Sequence, residues 1–118
     1  MYFHKVKTTP HYWHRRDSET ENLLAEAMNF YLEKMKEERK SNFDKCMEGD
    51  VLEAKSHLFS DQKYLQHSDI YSIHYALDYW TDYNEETPQA VGREAFWRKR
   101  DLAFELCDEL CYLLEYAD

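Results

Sequence analysis

The chain has very few of the residues that make tight turns. Two glycines and two prolines occur among 118 residues, and these residue types supply much of the backbone geometry that sharp turns require. A many-stranded sheet needs a turn after nearly every strand, so this scarcity favours long helices. We therefore predict a single all-α domain over residues 1–118, built as a bundle of four to five helices.

The sequence also lacks the features of secretion and membrane insertion. No apolar run approaches the length of a membrane span, and the N-terminal residues lack the uninterrupted apolar core of a signal peptide. The three cysteines, Cys46, Cys107 and Cys111, are an odd number, which suits reduced thiols better than a disulfide framework. We expect a cytoplasmic protein that does not bind membranes.

No familiar catalytic motif is present. There is no His-Glu-x-x-His, no Cys-x-x-Cys pair and no Gly-x-Ser-x-Gly, and two isolated glycines cannot form a dinucleotide fingerprint or a phosphate-binding loop. A nucleophilic site assembled from distant residues is an alternative that the motifs do not exclude, since Cys46 or Cys111 could meet a histidine in space. We expect no enzymatic activity, no cofactor and no metal.

Basic residues are few, and the charge is unevenly distributed. The chain has 15 basic and 24 acidic residues, a net charge of −9. Residues 1–16 contain four basic residues and no acid, whereas residues 101–118 contain six acids and no base. The whole molecule should be repelled by nucleic acid and anionic membranes, so it favours a partner with a basic surface.

Local signals indicate where helices begin and end. Ser18 and Glu21 form a capping box, and the apolar residues that follow are interrupted for a heptad, which predicts that the first helix ends near Lys40. Gly49 predicts a kink or break in the second helical region.

The two ends of the chain differ. Residues 1–16 form a basic, aromatic arm that we expect to be extended, with a short strand as the alternative. Thr87 and Pro88 are the N-cap and first position of a last helix that can run to the end of the chain.

The stretch Ser68–Asn84 is the most aromatic part of the sequence and organises the rest. Its apolar residues recur every three or four positions, which predicts a helix, although alternation of Tyr71–Tyr79 with polar residues is also typical of a half-buried strand. We expect a core formed by Ile73, Leu77 and Trp80. Some of the tyrosines at 71, 75, 79 and 83 should pack on the C-terminal helix.

Two sets of side chains could supply part of a metal site. On a helix, His67, His74 and Asp78 lie along one edge, and Cys107 and Cys111 are one turn apart on another helix. Polar surface is the better interpretation of the first set, and small buried core residues of the second.

An acidic pair, Glu105 and Asp108 with Glu109 beside them, occurs in the run FELCDELCYLLEYAD. The run resembles the second acidic helix of the all-α MazG-type nucleotide pyrophosphohydrolases, in which Glu-x-x-Asp helps to hold magnesium. The upstream Glu-x-x-Glu of that family is missing, since Asp82 and Glu85 have the spacing but lie at a helix end. The resemblance implies a metal-dependent nucleotide hydrolase, and a solvated acidic face is the alternative.

Two clusters, at residues 12–16 and 96–100, combine aromatic and positively charged side chains. Such a combination suits either single-stranded nucleic acid or a protein interface. The net charge of −9 opposes direct nucleic-acid binding. Our predicted partner-binding residues come from these clusters and from the aromatic stretch: Trp13, Arg15, Arg16, Tyr75, Tyr79, Tyr83, Trp97, Arg98 and Arg100.

The function predicted from the sequence is that of a small acidic, non-enzymatic module that binds another protein. Acidic, aromatic-rich helical chains of this size recur among phage-encoded inhibitors of host or defence proteins, which suggests a regulator that blocks a nucleic-acid-binding surface. A homodimer is a further expectation from the same anchors. The alternatives are the MazG-like hydrolase and the single-strand binder.

Overall fold

The computed structural model describes residues 11–12, 17–38, 41–60, 64–86 and 93–115. These residues contain four helices: α1 (Ser18–Glu37), α2 (Asn42–Leu58), α3 (His67–Glu86) and α4 (Arg93–Glu115). Two strands of two residues each, β1 (His11–Tyr12) and β2 (Tyr64–Leu65), pair antiparallel with His11 opposite Leu65. The all-α class is confirmed. Apart from His11 and Tyr12, the predicted N-terminal arm lies outside the described residues.

The N-cap of α1 lies one residue before the predicted N-cap, Ser18. The N-cap is Asp17, whose side chain accepts the Thr20 backbone N–H at 3.2 Å and the Thr20 hydroxyl at 2.9 Å. The Ser18 and Glu21 capping box was therefore wrong, because Asp17 is an equally good cap and fixes the first turn with Thr20. Helix α1 ends at Glu37, close to the predicted end at Lys40.

Helix α2 is continuous through Gly49, so the predicted break does not occur. Ser41 and Asp44 form a reciprocal capping box at its start. Gly49 is exposed and a Cβ there would meet nothing within 4 Å. A glycine inside a helix costs about 1 kcal/mol, and the continuous buried stripe of Met47, Val51, Ala54 and Leu58 offsets that cost.

Helix α3 occupies the centre of the bundle, because it contacts each of the other three helices whereas α1 and α4 meet over a short length. The helical prediction for Ser68–Asn84 is confirmed and the strand alternative is wrong. Ile73, Leu77 and Trp80 are buried as predicted. The core is completed from the other helices by Leu24, Met28, Tyr31, Val51, Leu58, Leu106 and Leu110.

A histidine–carboxylate contact fixes the turn between α2 and α3. Asp69 is buried, accepts the Gln66 backbone N–H at 3.0 Å and lies 2.9 Å from the His57 Nδ1. The carboxylate thus caps the start of α3 while it holds the last turn of α2.

Candidate functional site

Helix α4 displays large aromatic side chains on the side opposite its buried stripe. Trp97, Phe104 and Tyr112 are 46%, 46% and 61% exposed. They are spaced by seven and eight residues, which places them on one helical face. The buried stripe of α4 consists of Phe96, Ala103, Leu106 and Leu110. We call the side that carries Trp97, Phe104 and Tyr112 the outer face of α4.

Carboxylates alternate with these aromatic residues along the outer face. Asp101, Asp108 and Glu115 are exposed and follow each other at intervals of seven residues. Between 101 and 115 the chain has five acids and no lysine or arginine. The last turn of α4 has no basic residue, although the negative end of the helix dipole favours one there. Glu115, in the last turn, is therefore disfavoured by the dipole of its own helix.

The basic residues of α4 lie in its N-terminal half, and two of them, Lys99 and Arg100, are engaged within the molecule. Lys99 forms an ion pair with Glu26 of α1 at 2.8 Å. Arg100 pairs with Glu85 of α3 at 3.2 Å, and its guanidinium lies 5.6 Å from the centre of the Phe104 ring. Arg100 thus holds an exposed aromatic residue in place by a cation–π contact.

A groove of about 410 Å³ separates the first turns of α1 and α4. Acids of α1, Glu19 and Glu26, line one side, Arg98 and Lys99 of α4 line the other, and Leu23 and Leu102 are among its apolar walls. Of the predicted residues, Arg98 lines this groove, whereas Trp97 and Arg100 occupy the same turn of α4 without lining it. Trp13, Arg15 and Arg16 lie outside the described residues.

Tyr75, Tyr79 and Tyr83 form a second aromatic feature, which lies against α1. The Tyr31 ring contacts the rings of Tyr75 and Tyr79 edge-on at 5.5 and 5.2 Å, and Phe30 contacts Tyr83 at 5.0 Å. We expected some of the tyrosines at 71, 75, 79 and 83 to pack on the C-terminal helix and the rest to be displayed; Tyr75, Tyr79 and Tyr83 pack on α1 instead, and Tyr71 is exposed. Tyr75, Tyr79 and Tyr83 face α1 because the aliphatic residues of α3 and Trp80 occupy its other sides.

Lys34 contacts the cluster of aromatic rings between α1 and α3. Lys34 Nζ lies 4.7 Å from the Tyr83 ring centre and 3.6 Å from a Glu37 carboxylate oxygen. A hydrogen bond with Tyr83 is the main cause that raises the Lys34 pKa. Tyr75, Tyr79 and Tyr83 are half-buried, so they contribute mainly to the α1–α3 contact and present little free surface to a partner.

The phenol of Tyr31 lies in the middle of this cluster. Its hydroxyl is fully buried and, within the described part of the chain, makes no hydrogen bond of good geometry, although it interacts with the Tyr75 hydroxyl. Burial raises the Tyr31 pKa above its ordinary value, and nearby Tyr75 and Asp44 act in the same direction. Burial also raises the pKa values of Tyr75 and Tyr79. The phenols of Tyr31, Tyr75 and Tyr79 therefore keep their protons to higher pH than an exposed tyrosine does.

The acidic pair at Glu105 and Asp108 is exposed on α4. Within the described ranges, no three His, Cys, Asp or Glu side chains are arranged around a common metal position. This is also true of Asp82 and Glu85 at the end of α3. The geometry thus gives the MazG-like alternative no positive support.

The sequence analysis missed Phe104 and Tyr112. Phe104 lies about two turns after Trp97, and Tyr112 about two turns after Phe104. All three lie on the face opposite the buried leucines of α4. An apolar residue that recurs on the polar side of an amphipathic helix is the signal that could have identified them.

The structure places no helix long and apolar enough to cross a membrane within the described residues. Comparisons with protein-family models, curated proteins and solved structures found no match.

Proposed function

We propose that this protein is a cytoplasmic, non-enzymatic module that binds a basic surface of another protein through the outer face of α4. The observation that carries the proposal is the set of exposed aromatic side chains, Trp97, Phe104 and Tyr112, placed between carboxylates on one helical face. Trp97 belongs to the residues predicted from the sequence. Phe104 and Tyr112 are added by the structure.

The aromatic residues supply the attraction. Tryptophan and tyrosine are enriched among the residues whose truncation weakens protein complexes most, and burying a large ring removes 150–250 Å² from water in general. Arg100 restrains Phe104 through the cation–π contact and is itself paired with Glu85. A ring held in one position loses less conformational entropy when a partner covers it.

The carboxylates select the partner. Asp101, Asp108 and Glu115 create a negative field along the same face, which accelerates encounter with a basic surface and repels acidic ones. The cost of Glu115 to helix stability in the last turn of α4 supports a purpose for this acid other than folding. In the finer form of the proposal, the module occupies a nucleic-acid-binding surface of its partner, as a phage-type inhibitor or regulator would.

The test compares two triple variants that remove exposed apolar side chains from different faces. The first is Trp97→Ser with Phe104→Ser and Tyr112→Ser. The matched control is Phe43→Ser with Leu52→Ser and Phe59→Ser, because these residues of α2 and its C-cap are also 43–58% exposed. Circular dichroism should show the same helix content for both variants.

Affinity capture from the cells that express the chain, followed by mass spectrometry, gives the readout. The wild type and the α2 control should retain the same basic protein, and the α4 variant should lose it. Added nucleic acid and higher salt should both displace the partner. Loss of capture in the α2 control alone would contradict the proposed face.

Sedimentation of the purified chain distinguishes a second copy as the occupant. A wild-type dimer that becomes monomeric in the α4 variant would assign the outer face to self-association and overturn the basic-partner proposal. A monomer in both cases agrees with a partner of different sequence.

A further inference from the structure

The groove between α1 and α4 is separate from the outer face of α4. Its volume, about 410 Å³, falls within the roughly 300–1,000 Å³ that small-molecule sites usually have. Among the described residues, its lining comes from α1 and α4 and includes neither Trp97 nor Phe104 nor Tyr112. A ligand in the groove would therefore leave the outer face open to the basic partner.

Each helix contributes one stripe of residues to the groove. The stripes consist of Glu19, Asn22, Leu23 and Glu26 on α1, and of Ala95, Arg98, Lys99 and Leu102 on α4. Within each stripe the later residues follow the first by three, four and seven positions, so they share one face of their helix. The ion pair between Lys99 and Glu26, at 2.8 Å, joins the two faces across the groove.

The base of the groove is apolar and held in place by the core. Leu23 is part of the buried core, and Leu102 is half-buried against that core. Ala95 adds a small exposed side chain. Because α1 and α4 contact each other over only a short length, Leu102 and Ala95 stay accessible to the apolar part of a ligand.

The charged side chains of the groove divide into a paired and an unpaired set. Lys99 and Glu26 neutralise each other. Within the described part of the chain, the exposed side chains of Arg98 and Glu19 form no ion pair, and the Asn22 side-chain amide makes no hydrogen bond. The rim thus offers a ligand one positive group, one negative group and one amide.

We propose that the groove binds a small zwitterion with an apolar body, namely an apolar amino acid, either free or as a short peptide with both ends free. The Arg98 guanidinium takes the carboxylate, for which its planar fork of donors is suited, and the Glu19 carboxylate takes the ammonium. The Asn22 amide both donates and accepts, as a peptide group requires. Leu102 and Ala95 contact the apolar side chain.

The charges of the rim select this class of ligand. A purely anionic ligand such as a nucleotide would place its phosphates near the carboxylates of Glu19 and Glu26, and a purely cationic one would meet the Arg98 guanidinium. A zwitterion satisfies both unpaired groups and leaves no charge uncompensated. Since these groups are exposed, each contact contributes modestly, and we expect an affinity in the micromolar to millimolar range.

The experiment titrates the full, isotopically labelled chain with leucine and with the dipeptide leucylleucine while amide chemical shifts are recorded by nuclear magnetic resonance. At least one of the two probes should cause saturable shifts at residues 19–26 and 95–102, with one ligand bound per chain. The probe with the lower Kd identifies the source of the zwitterion, a free amino acid or a peptide.

Modified probes test each part of the ligand. N-acetylleucine lacks the ammonium, leucinamide lacks the carboxylate, and glycylglycine keeps both charges but lacks the apolar side chains. Each should bind at least about threefold more weakly than the unmodified probe that resembles it, because each loses one kind of contact with the groove.

Matched variants locate the site. Arg98→Gln and Glu19→Gln should each weaken binding of the better probe by at least about threefold. Arg98→Gln should leave the weaker binding of leucinamide unchanged, since that probe has no carboxylate. Lys45→Gln and Asp50→Asn remove exposed charges of α2 and should bind like the wild type. Circular dichroism confirms that all four variants are folded.

Three results would overturn the inference. The first is the absence of saturable shifts at the groove with either probe up to millimolar concentration. The second is N-acetylleucine or leucinamide binding as tightly as leucine, which would indicate a ligand of a single charge. The third is unchanged binding in Arg98→Gln or in Glu19→Gln. None of these results bears on capture of the basic partner, which depends on the outer face of α4.

Discussion

Helices α1 and α4 each bury one apolar face against α3, but they differ in where their charged residues lie and in how far their other aromatic residues are exposed. Helix α1 has acids in its first turn, bases in its last turn and a capping aspartate, as an isolated helix prefers. Its half-buried aromatic residue, Phe30, is packed against the tyrosines of α3. Helix α4 has acids towards its C-terminus and three exposed aromatic residues.

This difference separates residues that stabilise the fold from residues available for another role. In α1, local helix preferences and tertiary packing agree, and a sequence of this kind needs no explanation beyond stability. In α4 the inner face agrees with the fold, whereas the outer face carries an acid that the helix dipole disfavours and aromatic rings that are about half exposed. Conflicts of this kind concentrate at functional surfaces.

The largest expected effect tests whether the inner faces of the two helices are equivalent. Met28→Ala on α1 and Leu106→Ala on α4 each remove a fully buried side chain, so each should lower the free energy of unfolding by about 2–5 kcal/mol. Urea denaturation measures both. A small loss for Leu106→Ala together with a reduced m-value would show instead that α4 unfolds separately from the other helices.

Alkaline pH should weaken both inner faces, beginning with α4. Burial raises the pKa of Cys107 on α4 to about 12 and that of Tyr31 on α1 above its ordinary value. In the unfolded chain these groups lose their protons near pH 8.5 and 10. Because the folded state keeps the protons longer, stability falls as pH rises above those values, by at most about 1.4 kcal/mol per pH unit for each group.

Unfolding midpoints measured at increasing pH provide the check. The decline that starts near the ordinary thiol pKa should be smaller in Cys107→Ala, and the decline near the ordinary phenol pKa should be smaller in Tyr31→Phe. Identical pH profiles for the wild type and both variants would exclude these two groups as the cause.

Removing the hydroxyl of Tyr31 on α1 should stabilise the protein. Among the described residues, the buried Tyr31 hydroxyl makes no hydrogen bond of good geometry and interacts only weakly with the Tyr75 hydroxyl, and a poorly paired buried polar group costs about 1–3 kcal/mol. Tyr31→Phe should therefore increase the free energy of unfolding, on the order of 1 kcal/mol. Tyr112→Phe on the exposed outer face of α4 is the control and should change little. A destabilised Tyr31→Phe variant would indicate that the hydroxyl is solvated after all.

Sequence periodicity predicted the parts of this molecule that depend on one helix at a time. The helix over α3 and the burial of Ile73, Leu77 and Trp80 follow from spacings of three and four residues. The same reasoning failed at Gly49, where packing of the neighbouring Met47 and Val51 outweighs the local preference for a break.

Features that depend on two helices could not be predicted in the same way. The spacing of Tyr75 and Tyr79 shows that they share a face, but it does not show that the face meets Tyr31 of α1. The contact between His74 and Cys111 joins residues 37 positions apart, and no local pattern in either helix indicates its partner. Which side of α4 was exposed also depended on how α3 packs against it.

The smallest expected effect concerns the charge at the two helix ends, and it decides whether the outer face of α4 carries a stability cost. Glu115→Lys places a positive charge in the last turn of α4, where the helix dipole favours it, so stability should rise by about 0.3–1 kcal/mol. Lys36→Glu makes the reverse change in the last turn of α1 and should lower stability by a similar amount. Both differences should shrink at high salt, as measured by thermal and urea unfolding. If Glu115→Lys stabilises the chain yet weakens capture of the basic partner, the acid is kept for binding at the expense of the fold. If Glu115→Lys destabilises the chain, Glu115 is structural, and the contrast between α1 and α4 no longer points to a function.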